Sequence, residues 1–152
     1  MAAARAARRR RFTIRREAVP ALERLTATRI VATPAALEAA AWPVDAVVLR
    51  VAPDEAIVTA DVGQDLILPD DPHAIVVTET GFVFVWLAMD KALDFLERTC
   101  EWELPRARPA FAQGAVAGIP VKLWLEPDRV LFIVPAPFAD QLFVIPLQAE
   151  AW

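Results

Sequence analysis

Apolar and polar positions change period several times along this chain, and each change marks a predicted element. Val19–Thr28 and Pro34–Trp42 are rich in Ala, Leu and Glu and read as helices. Thr33 offers an oxygen to cap the second, Pro34 supplies a preset φ at its first position, and Pro43 stops it. Val44–Ala52 and Ala56–Val62 are β-branched runs split by Pro53-Asp54-Glu55, a hairpin with a turn between two strands. Gly63–Pro72 reads as a loop. His73–Thr78 and Phe82–Leu87 read as strands with Glu79-Thr80-Gly81 turning between them. Asp90 can cap a helix running to about Thr99, with Ala92, Leu93, Leu96 and Cys100 on one face and Lys91, Asp94, Glu97 and Arg98 on the other. Arg106–Pro109 is a proline-punctuated link, and Phe111 with the small residues after it leads into a second hairpin. That hairpin is Val121–Leu125 and Val130–Val134, turned by Glu126-Pro127-Asp128-Arg129. Pro137 can start a last helix that places Phe138, Leu142 and Ile145 on one face, although Phe143-Val144-Ile145 suits a strand equally by propensity. These elements predict an α+β fold of antiparallel β-hairpins with packed helices.

The two hairpins share their lettering. Leu49-x-Val51-x-Pro53-Asp54-x-x-Ile57-Val58 lies in register with Leu123-x-Leu125-x-Pro127-Asp128-x-x-Leu131-Phe132. The match reads as duplication of a ββ unit, against the competing fact that Pro-Asp turns between strands are common.

Composition sharpens the picture. At 152 residues the chain is long enough for one domain with a real core. Hydrophobic residues make up 57% of it, above the usual ~45–50% of soluble domains. Either some of that surface meets another subunit, or alanine enrichment inflates the figure. No uncharged apolar run reaches the ~18 residues of a membrane span. The first sixteen residues carry seven arginines and no acid; from Glu17 onward nine basic residues face twenty acidic ones, a net of −11. We therefore divide the chain into a basic arm, 1–16, expected to be disordered, and a single α+β domain, 17–152. The arm could contact nucleic acid, an anionic membrane or an acidic partner, but the acidic body does not extend its basic surface. An Arg-rich, acid-free start also suits a transit peptide.

The missing residue types exclude chemistry. The chain has no Ser, Asn or Tyr, one His and one Cys. That rules out a Ser-based triad, a Cys-rich zinc site and an internal disulfide, and it fits a reducing, cytoplasmic setting. Asp70-Asp71-Pro72-His73 gathers possible metal ligands, but without a second His it reads as a solvated acidic turn. Acids at Glu97, Glu101 and Glu103 disfavour a thiolate at Cys100, which reads as an inert thiol at the buried end of its helix. The four glycines match neither phosphate-binding fingerprint. No catalytic, cofactor-binding or metal-binding residue is therefore assigned. Of five tryptophans, Trp86 and Trp124 fall in strands and read as core, and Trp42 carries no separate role. Trp102, Phe111 and Trp152 lie outside the predicted elements and are the interface candidates.

Several short marks recur in order between Val47 and Leu147: Ala52-Pro53-Asp54-Glu55, the strand and helix of Phe82–Arg98, Cys100-x-x-Glu103-Leu104, Phe111-x-x-Gly114 and Ala136-Pro137-Phe138-Ala139. Together they resemble the small γ subunit of heterotetrameric sarcosine oxidase, a relative of the aminomethyltransferase (glycine-cleavage T) family. Glu103 stands where that family carries Asp, Trp102 is an intrusion, and Pro137 replaces the usual Ser. The resemblance implies the folate-binding aminomethyltransferase-like fold and a non-catalytic, cytoplasmic subunit. It further implies that FAD, FMN, NAD and tetrahydrofolate sit on larger partner subunits, none on this chain. N-methylglutamate dehydrogenase uses a similar small subunit. The alternatives are a free-standing tetrahydrofolate-binding domain, or an adaptor applying the arginine arm to an anionic partner.

Overall fold

The structure, a computed structural model, describes residues 25–63, 68 and 70–143. The elements run β1 (Ala27–Val31), α1 (Pro34–Ala39), β2 (Val48–Ala52), β3 (Glu55–Val58), β4 (Ile75–Glu79), β5 (Phe82–Ala88), α2 (Met89–Thr99), β6 (Ala110–Val116), β7 (Ile119–Leu125) and β8 (Arg129–Pro135). A 3-10 turn, Ala136–Phe138, leads into helical residues 139–143. Among the described residues all strand pairings are antiparallel, in two four-stranded sheets ordered β2-β3-β1-β4 and β5-β8-β7-β6.

The α+β class and both Pro-Asp hairpins agree with the sequence. The helix expected over Val19–Thr28 does not extend into the described residues, where β1 begins at Ala27; residues 19–24 lie outside them. Thr28, Ile30 and Val31 are β-branched, and the strand is held between β3 and β4. α1 keeps its expected start, with the Ala36 N–H donating to Thr33 Oγ1 at 3.2 Å, but stops at Ala39. β2 begins only at Val48, leaving Val44 fully exposed. Asp90 does not cap α2. The helix starts one residue earlier because the Met89 N–H donates to the Asp128 carbonyl at 2.9 Å, and Asp90 sits in the first turn. Phe95, not Leu93, joins Ala92 and Leu96 on the buried face, and Leu93 is exposed. β6, expected as a lead-in, is a full strand paired along β7. At the last element Ala139 and Leu142 are buried while Phe138 faces outward; Ile145 lies outside the described residues.

The β6–β7 turn has two central residues, Ala117 at φ 50° and Gly118 at φ 77°. Positive φ at both is the signature of a type I′ hairpin, where Asn-Gly is the preferred pair. Ala117→Asn should therefore raise stability by about 0.5–1 kcal/mol, read as a higher denaturation midpoint with an unchanged slope.

The likeness between the two halves is wider than the hairpin lettering indicates. β1-α1-β2-β3 and β5-α2-β7-β8 share a β-α-β-β order, the second with β6 inserted before β7, and their sheet orders are β2-β3-β1 and β7-β8-β5. A shared backbone bond ties each unit together: the Ala32 N–H donates to the Asp54 carbonyl at 3.0 Å, as Met89 does to Asp128 at 2.9 Å. Four residues past each aspartate, Val58 and Phe132 pair with Thr28 and Val85, each four residues before the amide donor. One difference separates the hairpins. Val51 is an extra residue in β2 and shifts its pairing by one. Leu49, opposite Ile57, therefore corresponds to Trp124, opposite Leu131, and not to Leu123.

The units meet through the same face. Ala27, Leu49 and Ile57 of the first sheet form one buried cluster with Phe84, Leu131 and Ile133 of the second, flanked by Trp86, Phe111 and Trp124. Ala27 and Phe84 are equivalent positions, and so are Ile57 and Leu131, as in the isologous contact of a two-fold dimer. On its far face each sheet carries its own helix. Leu37 of α1 packs with Ile30, Ala56 and Val58. Phe95 and Leu96 of α2 pack with Val83, Val85, Val130 and Phe132. The layers are helix, sheet, sheet, helix, with three apolar seams between them.

Candidate interaction surface

The side chains singled out by sequence have structural partners. Trp102 lies flat on β6. A Cβ built on Gly114 would come within 2.6 Å of the indole Cε2, so only glycine admits the ring, and the indole N–H donates to the Ala115 carbonyl at 2.8 Å. Phe111 faces Trp124 across β6–β7 and belongs to the seam between the sheets. Both rings are half-buried, so each is held by contacts within the chain and keeps part of its surface open. Trp152, the third, lies outside the described residues. Trp86 and Trp124 are half-buried in the seam, and Trp86 carries the Arg129 guanidinium 3.9 Å from its ring centroid. Cys100 is half-buried at the C-terminus of α2, where its thiol donates to the Trp102 carbonyl at 3.4 Å.

Asp71 is not the solvated acid expected. It is 7% exposed and accepts the Thr33 N–H at 2.9 Å and the His73 N–H at 3.0 Å, pinning its turn to the start of α1. The Thr33 hydrogen bond holds its carboxyl below the ordinary carboxylate value; burial opposes this, and the His73 N–H adds to the lowering. A lowered folded pKa gives stability that is present above the unfolded value of ~3.9 and lost as pH falls through the folded one. Wild type and Asp71→Ala should therefore differ in melting temperature by a constant margin at neutral pH, wild type higher. The margin should shrink once the pH passes below about 4, read by calorimetry across pH. Among the described residues no group of three or more His, Cys, Asp or Glu is placed to hold a metal ion.

A charged group sits at one end of the seam. Arg29 pairs with both Glu55 and Glu79, the latter through Nε at 2.6 Å, and lies 5.8 Å from the Phe82 ring centroid. The Lys122 ammonium approaches the same ring at 4.9 Å. Burial lowers the Lys122 pKa, Arg29 lowers it further, and Glu79 opposes them. The repeat explains the arrangement: Arg29 and Glu55 form an ion pair where the second unit has Trp86 under Arg129. One diagonal pair of positions is bridged by charge in one unit and by a cation over a ring in the other.

The surface that stands open is β4. It is the outermost described strand of its sheet, bonded among the described strands only to β1, and it exposes two β-branched side chains, Ile75 at 56% and Val77 at 48%. A sheet edge that exposes apolar side chains is the kind a partner covers. The sequence shows the run Ile75-Val76-Val77 as a strand but not its place at an edge, which depends on a sheet order set by distant pairings. No helix among the described residues is long and apolar enough to cross a membrane. No family model matches the chain, and no curated protein matches it.

Proposed function

We propose that this chain is a non-catalytic small subunit, γ-like, of a flavin- and folate-linked amine-demethylating complex of the sarcosine oxidase or N-methylglutamate dehydrogenase kind. The observation that carries its role as a subunit is the β4 edge, where Ile75 and Val77 stand exposed on a strand that no described strand covers on its outer side. The marks quoted from the sequence supply the kind of complex, and in Phe111-x-x-Gly114 the phenylalanine belongs to the seam between the sheets. In this reading the fold is the aminomethyltransferase-like one, the complex is cytoplasmic, and FAD, FMN, NAD and tetrahydrofolate belong to the larger chains.

Tagged full-length chain, recovered gently from its native cells, should bring down larger flavoprotein chains in fixed ratio. Ile75→Asp with Val77→Asp should lower that recovery at least tenfold while leaving the fold intact by circular dichroism. Recovery of a folded monomer with no such chains would defeat the proposal. Calorimetric titration with tetrahydrofolate tests the free-standing alternative, and heat of binding to the isolated chain would favour it.

A further inference from the structure

We propose that the outer edge of β5 is a docking edge for an extended segment and that its occupant is this chain's own segment Arg11–Arg15. The inference is independent of the functional proposal above. β5 is the outermost strand of its sheet among the described residues. Yet Val83, Phe84 and Val85 are only 3%, 1% and 4% exposed, in contrast to the side chains of the β4 edge. α2 and the first sheet cover the two faces of β5, but no described strand covers its edge.

The repeat says what belongs there. In the first unit the equivalent edge, that of β1, is covered by β4 running antiparallel. β4 directly precedes β5 in sequence, with only Thr80 and Gly81 between, and yet joins the sheet of the other unit. The reciprocal exchange has a strand that precedes β1 joining the sheet of β5. Before β1, the stretch Arg11-Phe12-Thr13-Ile14-Arg15 alternates polar and apolar residues, the pattern of a strand with one face buried. Its arginines suit a body that carries net negative charge. The entry point also fits. Leu25 packs in the same seam as Phe82, the first residue of β5, and Ala27 lies opposite Glu79 at the end of β4. A strand antiparallel to β5 ends beside Phe82. The residues from Arg16 to Glu23 and beyond span up to ~30 Å when extended, ample to return from there to Leu25.

Amide hydrogen exchange on the full chain tests this. In wild type the β5 amides that point away from β8 should be as protected as those that point toward it. Thr13→Pro removes a backbone donor from the docked segment. It should speed exchange of the outward β5 amides about tenfold or more while the β6–β7 amides keep their wild-type rates. Thr13→Val, which keeps the N–H, should match wild type. Unchanged protection of the outward amides in both Thr13→Pro and a chain lacking residues 1–16 would overturn the proposal. So would protection lost on cutting the chain after Phe143, or on dilution, which would give the edge to the C-terminal segment or to a second copy.

Discussion

Phe84→Ala should cost about 3–5 kcal/mol of stability, a large share of what a domain of this size holds. Phe84 is 1% exposed and sits in the seam where the two sheets meet, with Ile57 and Leu49 from one side and Leu131 and Ile133 from the other. Its equivalent in the first unit is Ala27, so the seam receives one large ring at a position that the repeat otherwise fills with a methyl group. Neither sheet can close over the lost ring without shifting register, and register is fixed by β1–β3 on one side and β5–β8 on the other. Chemical denaturation should show a lower midpoint, and calorimetry a melting temperature lower by roughly 10 °C or more. A cost below about 1 kcal/mol would mean that the sheets do not pack through this face.

Gly114→Val should be nearly as damaging, by about 2–3 kcal/mol, through expulsion of one ring. The new side chain would start 2.6 Å from Trp102 Cε2 and 2.7 Å from Nε1. The indole must leave β6 and give up its bond to the Ala115 carbonyl. Two controls isolate the cause. Gly63→Ala has open space around its Cβ and should be close to neutral. In a Trp102→Ala background, Gly114→Val should cost much less than alone, because the clash has no partner. Additive costs in that cycle would separate the glycine from the tryptophan and refute the packing explanation.

What the sequence revealed follows from which forces are local. The two Pro-Asp turns and the runs around them were legible because a proline and an aspartate act on their own backbone. The face of α2 was legible from its spacing, although Leu93 and Phe95 compete for it and the distant rings of Phe132 and Phe143 receive Phe95. β6 was not legible: Ala110, Ala112, Gly114 and Ala115 carry little strand preference, and the strand exists because β7 and Trp102 hold it. β1 was misjudged because the Ala- and Leu-rich residues before it favour helix, whereas its pairing with β3 and β4 overrides that preference. The packing of Trp102 and Phe111 was hidden for a related reason. Trp102 and Phe111 lie between predicted elements, but their burial is set by β6, which the pattern conceals. The repeated hairpin was visible as letters, yet the equivalence of Leu49 and Trp124 was hidden by the bulge at Val51.

The bonds from Ala32 to Asp54 and from Met89 to Asp128 use the backbone carbonyl of each aspartate, not its carboxylate. Their demand falls on the spacing of the turn rather than on its lettering. Over generations the side chains at Asp54 and Asp128 are therefore free to drift, whereas a single inserted or deleted residue in either turn would unlatch a helix from its hairpin. Descendants of such a chain should differ widely in spelling there and hardly at all in loop length.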